Sequence, residues 1–427
     1  MLGTGVSEVE FELSSIDDAV AAMRRGEIVI VVDAPTRENE GDLVMAAECA
    51  TPETINFMAT HGRGLICVPM LRERLEALRI PKMVADGTDP RETAFHVGVD
   101  HRRGTTTGIS ASDRATTIRA LASGDASPGD FSQPGHVFPL CYQEGGVLRR
   151  AGHTEAGIDL AVLADRGAAA VICEVIGEDG EMARLPALLE LAREHGLLVV
   201  SIADLIAYRR SRERLVVRMS EARLPLASAE FRAITYRDTV EGHDHLVLQL
   251  GDVAGGGDVL VRMHSECLTG DVFGSERCDC GRQLQLALDT IAAEGRGVVV
   301  YLRGHEGRGI GLGHKLRAYS LQDQGRDTVE ANLELGFPAD SREYGIGAQI
   351  LVDLGVTTMR LMTNNPAKYG GIEGYGLEII ERVPMRTVPN EENIAYLRAK
   401  QSKLGHLLGL GPKNDPNSDV DEELGGS

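Results

Sequence analysis

Short apolar runs separated by polar turns recur along the whole chain. Ile28 to Val32, Leu65 to Val68, Ala168 to Val175 and Leu197 to Ile202 have the length of buried strands. Leu185 to Glu194 instead repeats its apolar residues at helical spacing and meets a stop at Gly196. Thr51-Pro52 predicts a helix start, with threonine as cap and proline in the first turn. Ser112-Asp113 predicts a second cap, for a helix through Leu121. Further on, Phe231 to Tyr236, Leu246 to Leu250 and Val259 to Met263 read as antiparallel β runs. From Gly281 the pattern alternates: helix Gln283 to Ala293, strand Val298 to Leu302, helix Ala348 to Leu354, strand Thr358 to Met362. The expected fold class is α+β or mixed α/β, with two fused catalytic domains, each a mixed sheet with packed helices.

Length and composition refine this picture. A chain of 427 residues suggests two or three domains. Composition shifts at the basic stretch Tyr208 to Met219, so the expected domains are 1–209 and 210–427. The acidic tail after about residue 412 lacks aromatics and is expected to be disordered. No internal repeat is visible, so the halves are fused units and not duplicates. No apolar run reaches the length of a membrane span, and Met1 to Asp18 has no basic start followed by an apolar stretch. A cytoplasmic protein without a membrane partner is therefore expected. The formal charge of −20 argues against a nucleic-acid partner, and an anionic substrate would need local arginines. Seven cysteines, an odd number, make a disulfide framework a poor reading. Cys49, Cys67, Cys141 and Cys173 are scattered singly; the other three are bunched.

Cys267, Cys278 and Cys280 stand in HSECLTGDVFGSERCDCGRQL with C-x10-C-x-C spacing. Zinc favours thiolates, and three protein ligands with a vacant fourth position mark a catalytic ion. His264 or His305 could instead complete a closed structural site, and spacing leaves both readings open. The stretch Arg303 to Gly313 combines arginines, which bind phosphates with forked donors, and glycines, which let the backbone approach a ligand. A tight strand-to-helix turn would have the same composition. It is no Walker A loop, because the chain has no Gly-Lys pair, and no G-x-G-x-x-G occurs. Lys315 to Tyr319, Asp340-Ser341-Arg342 and Thr363 to Lys368 individually read as solvated helix faces and a turn.

Taken in order, RMHSECLTGDVFGSERCDCGRQL, RGHEGRGIGL, KLRAYSLQDQGRDTVEANLELGF, DSREYGIGAQIL and TNNPAK resemble GTP cyclohydrolase II over residues 210–411. The resemblance implies one Zn2+ on Cys267, Cys278 and Cys280. It implies GTP contacts from Arg262, Met263, His264, Ser265, Glu266 and Gln283, from Glu306, Gly307 and Arg308, and from Thr328, Thr363 and Lys368. It assigns Asp340 as proton acceptor and Arg342 as nucleophile toward the α-phosphate, with Tyr319 beside them. A guanidinium stays protonated at neutral pH, so stabilising transition-state charge is the physically easier role for Arg342. Zinc would activate water for attack on guanine C8, with loss of formate and pyrophosphate. Mg2+ would mask the triphosphate, assisted by Arg308 and Lys368.

In the first half, the Ile28–Val32 run enters a loop carrying Arg37, Glu38, Glu40 and Asp42. Those carboxylates suit a hard cation, although an acidic surface loop would look the same. Arg149, Arg150, His153 and Glu155 gather in a glycine-framed turn, and His136 stands in a loop context where histidine is more often functional than packed. Glu174 lies in an apolar run, costly unless paired or used, which makes it a candidate for an altered pKa. RENEGD, GISASDRATTIRAL, QPGHVFPL and RRAGHTEAGIDLA resemble 3,4-dihydroxy-2-butanone 4-phosphate synthase over residues 10–209. That implies conversion of ribulose 5-phosphate to dihydroxybutanone phosphate and formate, with Glu38 and His153 holding Mg2+ or Mn2+. Arg37, Glu38, Asp42, Glu174 and Arg150, Ala151, Gly152, His153 and Thr154 would contact the sugar phosphate, and His136 and Glu174 would be needed for turnover. One departure is Thr36, where the family usually has an acidic residue before the arginine. Together the halves read as a bifunctional enzyme of riboflavin synthesis with two small-molecule substrates, GTP and ribulose 5-phosphate, and the resemblance implies a homodimer. The alternatives are a chain with only the cyclohydrolase half active, or a zinc-containing GTP-binding regulator.

Overall fold

Period-two alternation decides the packing of the first unit, Met1–Arg212. In the computed structural model, which describes residues 13–35, 37–84, 93–255, 257–337, 342, 344–365, 372 and 375–410, Val29 and Val31 of β1 (Val29–Val32) face one core while Ile30 and Val32 face another. In β2 (Gly41–Ala46), Val44 and Ala46 oppose Leu43 and Met45 in the same way. A sheet apolar on both faces must be covered on both. Helices Ile16–Arg24, His153–Leu163 and Ile202–Arg212 cover one, and Pro52–Phe57, Arg72–Ala77, Ala111–Ala122 and Leu185–His195 the other. With β3 (Cys67–Met70), β4 (Val99–His101), β5 (Phe131–Cys141), β6 (Ala170–Glu174) and β7 (Leu198–Ser201), the order is β4-β5-β3-β6-β2-β1-β7. β1–β7 and β3–β5 are parallel and the other pairs antiparallel, giving the mixed sheet expected.

Three local readings change. The cap of helix Ala111–Ala122 is Ser110, whose hydroxyl accepts the Asp113 N–H at 3.0 Å, and not the Ser112-Asp113 pair. Asp113 lies inside the first turn and accepts the N–H groups of Thr106 and Gly108, which ties down the preceding loop. Gln133 to His136 is no loop: it belongs to β5, which pairs with β4 along its first part and β3 along its last, and His136 stands exposed on it. β3 begins two residues after Leu65, because the Leu65 N–H is donated at 2.8 Å to the Glu174 Oε2 carboxylate.

The second unit, Glu213–Ser427, is built around β8 (Val216–Pro225), β9 (Glu230–Asp238), β10 (Asp244–Leu250), β11 (Val259–Ser265), β12 (Gly297–Leu302), β13 (Thr358–Met362) and β14 (Glu378–Val383). Their order is β14-β13-β11-β12-β10-β9-β8. The β8 to β12 side is antiparallel and the β12 to β14 side parallel. Val261, Met263, Val300 and Leu361 pack against helix Gly345–Asp353 on one face. Leu260, Val299 and Met362 pack against helix Cys280–Glu294 on the other. The basic stretch 208–219 is less irregular than its composition suggested, since a helix runs to Arg212 and β8 starts at Val216. Among the described residues no helix is long and apolar enough to cross a membrane.

The turn between β9 and β10 closes around one carboxylate. Asp238 accepts the main-chain N–H groups of Val240 (2.9 Å), Glu241, Gly242 (3.3 Å) and His243 (3.1 Å). Burial alone would push the carboxyl up, but the His245 ring and the N–H groups of Glu241 and His243 outweigh it and hold it at about 2, against an ordinary 3.8. The folded-state value is depressed, so the stabilisation is present above pH 3.8 and lost as pH falls toward 2. Asp238→Asn should therefore cost about 1–2 kcal/mol at pH 7, allowing for solvent screening. The gap between wild type and variant in denaturant titrations should narrow steadily below pH 4; a gap that stays constant to pH 2.5 would refute this account.

Candidate active sites

β11 ends at Ser265, and the chain then turns sharply enough to bring Cys267 against the Cys278-Asp279-Cys280 turn. The three Sγ atoms lie within 4.8 Å of one another, with Cys267 and Cys278 at 3.7 Å. Gly270 leaves them room, since a Cβ there would come within 2.8 Å of Cys278 Sγ. Cys280 opens helix Cys280–Glu294, whose N-terminal dipole favours a thiolate. Hydrogen bonding from Cys278 and Cys280, outweighing burial and assisted by Lys315, holds the Cys267 thiol far below its usual value. With Cys267 ionised, hydrogen bonding to it pushes Cys278 up to about 11, and Cys280 also rises. Three thiolates this close need a cation, and the donor set and spacing fit zinc.

Neither histidine offered by the sequence completes a closed site. His264 Nε2 lies 3.1 Å from Asp271, which also accepts the Tyr301 hydroxyl and the Cys267 N–H, and His305 Nδ1 lies 3.2 Å from Ser265 Oγ. Among the described residues, no fourth His, Cys, Asp or Glu joins the three sulfurs. That is the open arrangement of a catalytic ion.

A cavity lies beside the sulfurs, and it gathers Arg262, His264, Ser265, Glu266, Gln283, Gly307, Arg308, Tyr319, Thr328, Arg342 and Thr363, all singled out from sequence. Arg262 donates to Gln283 Oε1 at 2.7 Å and to the Met362 carbonyl at 2.9 Å. Arg342 reaches within 3.5 Å of Ser265 Oγ. The Met263 side chain instead points into the core, and Glu306 lies under the wall, where it takes the Leu268 N–H and the Lys315 ammonium. Asp340 and Lys368 lie outside the described residues. Sequence reading missed Lys315 as a site group. Its buried ammonium donates to Cys267 Sγ (3.1 Å) and Thr269 Oγ1 (2.8 Å) as well as to Glu306. It also missed Tyr396, Lys400 and His406, which line the same cavity from the C-terminal segment.

In the first unit the register sets Asp42 opposite Glu174 on adjacent strands. Asp33 then wraps the following loop, accepting the Glu38 and Glu40 N–H groups at 2.9 and 2.8 Å, while Arg37 bridges Asp33 and Glu38. His153 Nδ1 lies 3.9 Å from both Glu38 and Asp42. Burial, and then the charges of Glu174, Glu38, Glu40 and Asp33, push the Asp42 carboxyl well up. Burial outweighs the neighbouring carboxylates at His153 and pulls its pKa down, leaving the imidazole neutral, the form that binds metal. His153 Nε2 is buried with no hydrogen-bond partner among the described residues. A hard divalent cation would relieve both the crowded carboxylates and this ring nitrogen, so Mg2+ or Mn2+ fits. Arg150 is engaged with Glu155 at 2.6 Å and Thr93 at 3.1 Å. Gly152 caps helix His153–Leu163 without a side-chain hydrogen bond, and Thr154 is buried in its first turn. His136 is two strands from Glu174 in the sheet order, its Nδ1 2.8 Å from Asp100. The site value of Asp100 was not legible, since its partner lies 36 positions away.

A family model described as 3,4-dihydroxy-2-butanone 4-phosphate synthase matches residues 17–208, and one described as GTP cyclohydrolase II matches residues 217–384. The chain is 59% identical over 412 residues to the bifunctional riboflavin biosynthesis protein RIBA 1, chloroplastic, of Arabidopsis thaliana, spanning 96% of this chain and 76% of that one. It is 57% identical to the riboflavin biosynthesis protein RibBA of Rhodococcus erythropolis, spanning 93% of this chain and 95% of the relative. This chain belongs to the bifunctional riboflavin biosynthesis proteins. It is an enzyme with a lyase domain of the synthase type and a hydrolase domain of the cyclohydrolase II type. Among solved structures it resembles RibBX, a two-domain 3,4-dihydroxy-2-butanone 4-phosphate synthase from A. baumannii, with 38% identity and a TM-score of 0.68 over 87% of this chain and 99% of that one.

Within this bifunctional riboflavin protein, Gly108 is a sensitive point of the synthase half. Its φ is +94°, and a Cβ would fall 2.2 Å from Asp100 Oδ2 and 2.6 Å from His136 Nδ1. Gly108→Ala should cut formate release from ribulose 5-phosphate by roughly tenfold or more, as a strained turn and a parted Asp100–His136 pair imply. GTP ring opening should be untouched. A synthase rate within twofold of wild type would show that the pair is not needed.

Proposed function

We propose that residues 1–209 convert ribulose 5-phosphate to 3,4-dihydroxy-2-butanone 4-phosphate and formate. Residues 210–427 convert GTP to 2,5-diamino-6-(ribosylamino)pyrimidinone 5'-phosphate, formate and pyrophosphate. The observation that carries this reading is the open trio Cys267, Cys278 and Cys280 at the edge of an arginine-lined cavity. These sulfurs would hold one zinc ion, which when bound would supply Lewis-acid activation of water. Lys315 steadies Cys267 by hydrogen bonding, and Gln283 fixes the Arg262 guanidinium. Arg308, Arg342 and Lys368 neutralise the triphosphate with Mg2+, and forked guanidinium donors suit its oxygens. Asp340 takes a proton during the reaction, Tyr319 orients the departing groups, and Arg342 stabilises charge at the α-phosphate. Thr328 and Thr363 add hydroxyl contacts to the nucleotide.

In the synthase half, Glu38 and His153 hold Mg2+ or Mn2+, which when bound stabilises negative charge on adjacent substrate oxygens. Arg37, Arg150 and the N-terminus of helix His153–Leu163, whose N-cap Gly152 has no side chain to occupy it, receive the sugar phosphate, as helix N-termini favour anions. His136, oriented by Asp100, and Glu174, held by the Leu65 N–H, move protons during the skeletal rearrangement. The protein acts as a cytoplasmic homodimer without nucleic-acid or membrane partners.

Two variants separate the activities. Cys278→Ser should strip zinc and lower GTP ring opening at least a hundredfold while leaving dihydroxybutanone phosphate formation within twofold of wild type. Glu38→Ala should do the reverse. The readouts are zinc content, ultraviolet absorbance as the imidazole ring opens, and formate release from ribulose 5-phosphate. Loss of both activities in either variant would refute two independent sites. GTP binding without an absorbance change in the wild type would favour the regulator.

A further inference from the structure

Helix Ile394–Leu404 lies beyond the stretch matched to the cyclohydrolase family, yet it reaches the centre of the site. Lys400 is buried, and its ammonium donates at 3.0 Å to Asp279, the residue between two of the three sulfur ligands. Asp279 is itself almost wholly enclosed. Its second oxygen accepts from Gln283 Nε2 and, at 3.4 Å, from the Thr387 hydroxyl, while Gln283 Oε1 takes the Arg262 guanidinium. A relay of four side chains therefore runs from the C-terminal helix to an arginine in the cavity wall. Burying an ammonium and a carboxylate has a desolvation cost that mere attachment of a terminal helix does not require. The same segment is fastened at other points around the cavity. Asn364 donates to the Met385 carbonyl at 2.6 Å and accepts its N–H at 2.9 Å, and the Leu407 N–H returns to the Asn364 carbonyl. Lys403 pairs with Asp327 and Glu330, at the start of the helix that carries Thr328.

We propose that this helix is a working wall of the nucleotide cavity, in which Tyr396 contacts the bound nucleotide and Lys400 is a positioning residue acting through Asp279. Tyr396 is half-buried, lies one helical turn before Lys400 and lines the cavity, with the Lys400 ammonium 4.3 Å from its ring centroid. That ammonium is already committed to Asp279 and also rests against Tyr396, so the Tyr396 ring is what the helix offers a purine nucleotide. Lys400 offsets a carboxylate that would otherwise stand uncompensated beside Cys278 and Cys280. Asp279 in turn holds Gln283, and through it Arg262, in the orientation that faces the ligand.

The inference rests on the cyclohydrolase reading of this unit, and the test keeps the two apart. The zinc-loaded full chain is compared with Tyr396→Ala, Lys400→Met and Lys400→Arg. The readouts are the affinity for a non-hydrolysable GTP analogue, KM and kcat for GTP, zinc retention against a chelator, and formate release from ribulose 5-phosphate as a control. Tyr396→Ala should weaken analogue binding and raise KM about tenfold, with zinc retention unchanged. Lys400→Met should lose zinc to the chelator about tenfold more readily and bind the analogue about tenfold more weakly, and Lys400→Arg should recover at least half of both effects. Should Lys400→Met fail to fold, Tyr396→Ala, which removes no charged group and leaves the Lys400–Asp279 pair in place, decides. Analogue affinity and KM within twofold of wild type in Tyr396→Ala would overturn the proposal. A wild-type chain that neither binds nor opens GTP would overturn the cyclohydrolase reading instead.

Discussion

Negative charge packed closely in a space that water cannot fill is the condition the second unit is built to manage. Three sulfurs within 4.8 Å, once ionised, and the buried carboxylates of Asp279 and Glu306 repel one another strongly at low local dielectric. Two buried lysines answer this charge, Lys315 at Cys267 and Glu306, Lys400 at Asp279. A divalent cation at the sulfurs completes the balance, and protonation is the alternative without one, as the raised Cys278 and Cys280 thiols indicate. The glycine at position 270 and the turn between β11 and helix Cys280–Glu294 follow from the same demand, because both exist to let the sulfurs meet.

The first unit faces the same problem with harder donors. Its carboxylates are drawn together by sheet register, Asp42 beside Glu174, and by a loop folded around Asp33. Thiolates select a soft or borderline ion held by a compact trio with a fourth position open, whereas carboxylates and one imidazole suit a hard ion that keeps water and substrate oxygens in its shell. The spacing fits this difference, since the three sulfurs converge within 4.8 Å while among the described residues no three ligand atoms of the first unit do. Each unit thus places its chemistry where strand ends meet a helix start, and the two sheets arrive there by different strand orders.

Legibility in the sequence followed locality. Strands such as Val29–Val32 and Thr358–Met362, and the Gly196 stop, were readable because burial pattern and turn chemistry act within a few residues. The sulfur ligands and most cavity residues were readable because they cluster in unbroken motifs. His136 was misread as a loop residue because β5 carries two prolines and a glycine, both residue types strand-poor, in a strand that changes partner midway. Asp100, Asp279 and Lys400 were invisible as site residues for a different reason. Each works through a contact with a residue far along the chain, 36 positions for Asp100 and 121 for Asp279 and Lys400, and no local pattern encodes such a pairing.

An excess of twenty negative charges looks unsuited to substrates that are themselves anions. Distance resolves the conflict. At physiological salt an exposed charge is largely screened beyond about 8–10 Å, so the acidic surface contributes little inside a cavity. A guanidinium in contact with a phosphate in a poorly solvated pocket acts at a few ångströms, where the interaction is several times stronger than in water. Arg262 and Arg308 are buried at the cavity wall, so their charge is focused into the space that a nucleotide would occupy. The ion pairs that hold Lys315 and Lys400 commit those two cations to Glu306 and Asp279. Affinity for an anion is thus separated from the net charge of the chain.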